Sequence, residues 1–165
     1  MKTKITTLLT AIIIVLTITN CKKEGPVGPE GPQGPAGPAA QTDTYTVTFY
    51  QSGTSYRTDI SDGNITQAIV DNGAVLTYMS NGSGGWSALP LTYFPTTAYS
   101  RTFEAIHYLN AVTIWNYDSD GVLPANPGTK TFKIVAISGN RIGNWPLNVD
   151  KSDYNQVKKY LQLRD

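Results

Sequence analysis

A chain of 165 residues has room for one domain with added segments and is short for two full domains. Only 15% of residues are charged while 10% are aromatic, with ten tyrosines, which argues against disorder and long solvated helices and toward β structure. The net charge of +1 divides into +2 over residues 1–40 and −1 beyond, so no basic patch suits nucleic acid, and a single Cys and a single His exclude most thiol and metal chemistry.

Residues 1–4 carry Lys2 and Lys4, and residues 5–18 (ITTLLTAIIIVLTI) are apolar or threonine without a charge. Fourteen helical residues would span roughly 21 Å, short of a hydrocarbon core of about 30 Å. Residues 1–20 therefore read as a signal peptide and not as a membrane-spanning helix. Cys21 follows directly, with Ile18 and Thr19 at the third and second positions before it. This resembles a bacterial lipobox, which implies that the Cys21 thiol receives diacylglycerol and becomes the new N-terminus. An ordinary secreted protein with a spare thiol is the weaker reading, because an unpaired thiol is a liability in an oxidising compartment. Two or three acyl chains on Cys21 would anchor the chain stably to a membrane, whereas one binds only marginally. Residues 21–24 then form a charged tether, whose Lys22, Lys23 and Glu24 resemble surface-export signals. The expected location is the cell envelope, lipid-anchored at the outer membrane, with the periplasmic and surface faces both open.

Residues 25–40 form a collagen-like tract. Glycines recur at 25, 28, 31, 34 and 37, each followed by proline at 26, 29, 32, 35 and 38. A triple helix needs glycine at every third position because only hydrogen fits at its axis, but the same composition also suits a single-chain polyproline II spacer. Fifteen residues at about 3.1 Å each reach roughly 45 Å. Five triplets are too few to trimerise alone, so a homotrimer would have to be driven by the following domain. Stiff monomeric spacer and short trimeric stalk both stand.

Residues 41–165 read as the folded part, mainly β. In residues 44–50, Tyr45, Val47 and Phe49 alternate with threonines, as in a half-buried antiparallel strand, and QSGTS (51–55) follows as a turn. Residues 64–73 suit a short helix or a strand closed at Asn72-Gly73. Residues 74–80 read as a strand, 81–85 as a loop, and 86–93 as an extended segment that Pro90 assigns to an edge. Residues 101–109 and 111–118 alternate as a hairpin around Asn110. Residues 119–128 form a turn-rich loop and 129–137 a further strand. From Ser152 the period changes: Tyr154, Val157, Tyr160 and Leu161 share one helical face, with Ser152 or Asp150 as the cap, so a short amphipathic helix should cover an edge or end of the sheet. The fold class expected is a small antiparallel β-sandwich or barrel-like domain with a C-terminal helix.

The lipobox cysteine, the Gly-Pro-X tract, and a β domain containing DNGAVLTYM, LPANPGTKTFKIVAI and DYNQVKKYL together resemble the collagen-like lipoproteins of Bacteroidota-type bacteria. The resemblance covers essentially the whole chain. It implies an exported lipoprotein with a β domain and carries over no catalytic residue.

Candidate chemistry is sparse. His107 and Glu104 sit three apart in one strand and therefore face opposite sides, which prevents a local acid–base pair. No G-x-S-x-G elbow occurs, so no catalytic residue is assigned and the chain is read as a non-enzyme without cofactor. Asp118 and Asp120 in DSDG are the best metal candidates, but the loop lacks the further oxygens a calcium loop needs, and Asx-turn chemistry accounts for both aspartates. Trp115 lies in a regular strand and is assigned to the core, whereas Trp86 and Trp145 are expected to be semi-exposed, as a candidate ligand platform for glycan rings. The leading functional class is a structural or interaction protein that presents its β domain to another protein or a matrix. A lectin-like module is the alternative, and an enzyme ranks last. If Cys21 is acylated, cells making Cys21→Ala should accumulate precursor and lose fatty-acid label on the protein; normal maturation of that variant would refute the anchor.

Overall fold

The computed structural model describes residues 40–163. The expected signal peptide at 1–20, Cys21 with the expected tether, and the Gly-Pro-X repeats at 25–39 lie outside the described residues. Ala40, expected at the end of the tract, is the first residue of a strand. The described chain is mainly β, with two antiparallel sheets and a short C-terminal helix.

Strands β1 (Ala40–Thr48), β4 (Ala74–Ser80), β5 (Trp86–Ala88) and β9 (Thr129–Ile137) form a four-stranded sheet in the order β1-β9-β4-β5. Strands β2 (Tyr50–Ser52), β3 (Ser55–Ser61), β6 (Leu91–Tyr93), β7 (Arg101–Tyr108) and β8 (Ala111–Asp118) form a five-stranded sheet in the order β2-β3-β8-β7-β6. The strand expected over 44–50 ends earlier: the chain leaves the first sheet after Thr48 and enters the second at Tyr50. Phe49 is the corner. Its ring is 6% exposed and meets Phe103 of the second sheet at 5.9 Å and Phe132 of the first at 6.1 Å. The segment 86–93 divides in the same way, with β5 and β6 as edge strands of different sheets and the cis Leu89–Pro90 bond between them.

Alternation sets what each sheet buries. Ile60, Phe103, Val112 and Ile114 from the five-stranded sheet pack with Phe49, Phe132 and Ile134 into one apolar core between the sheets. The hairpin of β7 and β8 turns at Asn110, whose φ of 57° lies in the left-handed region that asparagine tolerates. Strand β3 falls in a stretch to which the sequence analysis assigns no element. Its inward residues Tyr56, Thr58 and Ile60 alternate with Arg57, Asp59 and Ser61.

Helix α1 (Gln67–Asn72) resolves the ambiguity at 64–73 in favour of a helix, closed where the Gly73 N–H donates to the Ile69 carbonyl at 2.8 Å. A side chain at Gly73 would bring Cβ to 2.3 Å from the Ile137 carbonyl, so only glycine fits. After a short turn, α2 (Gly139–Ile142), comes α3 (Tyr154–Leu161). Its cap is neither Ser152 nor Asp150 but Asp153, whose Oδ1 accepts from the N–H groups of Asn155 and Gln156. Asp150 instead holds the preceding turn, accepting from the Ser152 N–H and hydroxyl at 2.8 Å each.

Helix α3 lies beside the edge strand β5 and extends over the face of the sheet. Tyr154, Val157 and Leu161 bury against Tyr78, Val135 and Ile137, which project from the outer face of the four-stranded sheet. A second apolar layer results, and Tyr78 joins it doubly, through a ring contact to Tyr154 at 5.2 Å and a hydroxyl donated to the Lys151 carbonyl at 2.6 Å. Leu161→Ala should therefore cost about 2–5 kcal/mol in chemical denaturation. Val70→Ala on the exposed side of α1 should stay within about 0.5 kcal/mol of wild type. Equal midpoints for the two variants would contradict this packing.

Candidate functional site

Among the described residues the C-terminal helix covers the four-stranded sheet, and no helix packs on the outer face of the five-stranded one. Register aligns Tyr50 with Arg57, Arg57 with Trp115, and Trp115 with Glu104, so one row crosses β2, β3, β8 and β7. The next rows place Asp59, Thr113 and Ile106 together, then Ser61, Ala111 and Tyr108. Tyr50, Ile106 and Tyr108 are 49%, 38% and 50% exposed, respectively, so large side chains face solvent side by side.

This row is organised by Asp59. Its carboxylate accepts from the Tyr50 hydroxyl, from Arg57 Nη2 at 2.5 Å and from the Thr113 hydroxyl at 2.7 Å. The hydrogen bond from Tyr50, reinforced by those from Thr113 and Arg57, holds the Asp59 carboxyl down to about 2. The carboxylate stays charged and keeps the guanidinium in place. Arg57 then lies 5.0 Å from the centroid of Trp115 and 5.7 Å from that of Tyr50, between the two rings. Across the sheet the Tyr117 hydroxyl donates to Glu104 Oε2 at 3.1 Å. The result is a flat aromatic surface with one cation and two anions fixed on it.

Of the three tryptophans, Trp115 departs from expectation. Trp115, assigned to the core, stands on this outer face, because the inward positions of β8 are Val112, Ile114 and Asn116. Trp86 and Trp145 are half-buried in the helix layer. Trp86 meets the Tyr154 ring at 5.9 Å with Lys133 Nζ 4.7 Å from its centroid. Trp145 packs on Tyr160 at 4.9 Å and donates its indole N–H to the Val149 carbonyl at 2.8 Å. Trp145 also borders an open hollow of about 640 Å³ with Pro146, Leu147 and Lys151. The row from Tyr50 to Glu104 escaped the sequence reading because β3 did. The signal was present as Arg57 and Asp59 two apart, the spacing of one strand face.

His107 and Glu104 do face opposite sides. Glu104 is on the outer face with Tyr117, while His107 Nε2 lies 2.9 Å from the Thr77 hydroxyl of the other sheet. Asp120 forms the expected Asx turn, accepting from the Val122 N–H at 3.0 Å. Asp118 does not: it is 8% exposed and holds Arg101 through two bonds of 2.7 Å. Among the described residues no group of three His, Cys, Asp or Glu side chains could hold a metal ion, and no helix is long and apolar enough to cross a membrane.

Burial lowers the His107 pKa below its ordinary 6.5. The unfolded chain therefore takes up a proton as pH falls below about 6.5 while the folded chain resists it, so stability is lost on acidification. The melting midpoint of wild type should fall more between pH 7.5 and 5.5 than that of His107→Gln. Equal drops would show that His107 titrates as freely in the fold as in the unfolded chain.

Comparison with protein-family models, with curated proteins and with solved structures gives no match for this chain, so the functional reading rests on the geometry of its own residues.

Proposed function

We propose that this protein is an exported, lipid-anchored interaction module that docks onto a protein partner through the outer face of its five-stranded sheet. In this reading Cys21 carries the acyl chains, and the Gly-Pro-X tract stands the β-sandwich head off the membrane, as a single-chain spacer or as a trimeric stalk. The reading is non-enzymatic and uses no cofactor. The observation that carries it is the row Tyr50, Arg57, Trp115 and Glu104, with Ile106 and Tyr108 exposed beside it.

Tyr, Trp and Arg are the residue types enriched in the energetic centres of protein interfaces. A prepositioned arginine also binds at lower entropic cost than a free one, and Asp59 supplies that positioning here. A protein surface suits this face better than a sugar, since the Arg57 guanidinium already occupies one side of both neighbouring rings. A second reading, glycan binding beside Trp145, is favoured by the hollow that this ring borders.

Site-specific photocrosslinking on intact cells separates the two. A crosslinker at Tyr108 should capture a discrete protein partner that the same group at Leu147, fully exposed elsewhere, does not. Arg57→Ala should reduce that partner's affinity at least tenfold, as expected for loss of a central arginine. Capture that survives both Arg57→Ala and Trp115→Ala unchanged would refute the sheet face as the docking surface. Binding to a glycan array that is lost with Trp145→Ala would favour the second reading.

A further inference from the structure

The edge of a sheet is a template for another strand, and natural folds blunt their edges. Three of the four edge strands among the described residues, β2, β5 and β6, are only three residues long. The fourth, β1, runs for nine residues as AQTDTYTVT, without proline, glycine or lysine. Its threonines, tyrosine and valine are strong strand formers. Its single charge, Asp43, is turned to Asn64, whose Nδ2 donates to the carboxylate.

Register fixes which backbone groups of β1 point away from the sheet. The Leu89 N–H donates to the Thr77 carbonyl at 2.8 Å, so the Thr77 backbone faces β5. Direction alternates along an antiparallel strand, which turns Tyr78 and its register partner Lys133 toward each other. Phe132 and Ile134 then face β1, where they meet Tyr45 and Asp43. Thr42, Thr44 and Thr46 are left with their N–H and C=O groups pointing out of the edge, and no strand among the described residues pairs with them there. Space lies beside them: a hollow of about 400 Å³ runs along Ala40–Asp43, bordered by Asn64 and Gln162.

We infer that β1 is the seam of a homodimer, in which it pairs antiparallel with β1 of a second copy and joins the two four-stranded sheets into one. Outward-facing groups must meet outward-facing groups, so even-numbered residues pair with even-numbered ones. The register centred on Thr44 uses the whole strand. Thr44 meets Thr44 of the second copy, Thr42 meets Thr46, and Ala40 meets Thr48; threonine pairs across strands are favourable. Asp43 then lies opposite Tyr45, whereas centring the seam on Asp43 would set two carboxylates against each other. The two Ala40 ends come to lie at opposite ends of the seam, roughly 27 Å apart. This dimer therefore does not gather the Gly-Pro-X tracts into a stalk. The seam is separate from the sheet face that carries Arg57 and Trp115.

Light scattering of the full chain in detergent should give a dimer at micromolar concentration. Thr44→Pro removes both hydrogen bonds at the axis and leaves the ladder to β9 intact, because proline is accepted where the N–H faces out of an edge. It should give a monomer with the circular dichroism of wild type. If Thr44→Pro fails to fold, Thr44→Lys decides: this side chain is exposed, and like charges opposed at the axis should weaken the dimer about fivefold. Disulfide trapping on intact cells reads the register. Thr44→Cys should crosslink to its own copy beyond the wild-type background, and Thr48→Cys, far from Thr48 of the second copy, should not. A monomeric or trimeric wild type, a dimer indifferent to Thr44→Lys, or Thr48→Cys crosslinking as readily as Thr44→Cys would each overturn the proposal.

Discussion

From Phe132 to Ile137 strand β9 has no solvent face, and the rest of the fold is arranged around that fact. Phe132 and Ile134 project into the core between the sheets, while Val135 and Ile137 project into the helix layer. Both neighbours, β1 and β4, pair with it antiparallel along most of its length. The one cation within this buried stretch, Lys133, is 6% exposed and lies under the rings of Trp86 and Tyr154, donating to the Tyr154 hydroxyl at 3.0 Å. Aromatic faces and a hydroxyl replace the water that such a charge would otherwise lose.

Double coverage of one sheet leaves the other with a free side. Helix α3 and the loops around it are consumed in sealing the four-stranded sheet, and Trp86 and Trp145 serve that seal. Among the described residues no helix packs on the outer face of the five-stranded sheet, so this face can carry large exposed side chains without loss of core. The polar inner row at the end of the core has the same origin. Beyond Phe103 and Phe132 the apolar contacts run out, and Arg101, Asn116 and Lys130 take the positions where the two sheets no longer fill the space between them.

Much of this was legible because strand alternation is a local property. The hairpin of β7 and β8, the strands β4 and β9, and the buried face of α3 all follow from the spacing of residues such as Phe103 and Val112 or Tyr154 and Val157. Two kinds of information were not local. Alternation in β8 shows that Trp115 opposes Val112 and Ile114 but not which set faces in, and the largest ring drew the assignment to the wrong side. Likewise the switch of sheets at Phe49 depends on Phe103 and Phe132, both distant in sequence. Strand β3 went unassigned because its inward set, Tyr56, Thr58 and Ile60, holds only one aliphatic residue and its other face carries Arg57 and Asp59. The cavity lined by Arg101, Phe103 and Lys130 had no sequence signature, since it forms only where residues distant in the chain meet.

Strand β1 has a mechanical consequence. It is an edge strand with β9 as its partner, and its nine register pairs make the longest ladder of the fold, beginning at Ala40 where the Gly-Pro-X segment ends. Tension applied to Ala40 along the strand loads these pairs together in shear, whereas the three-pair ladder of β5 on β4 could be peeled one pair at a time. A head tethered by this end would bear force through its strongest seam, and the sheet that carries Arg57 and Trp115 would be spared distortion while the tether is pulled.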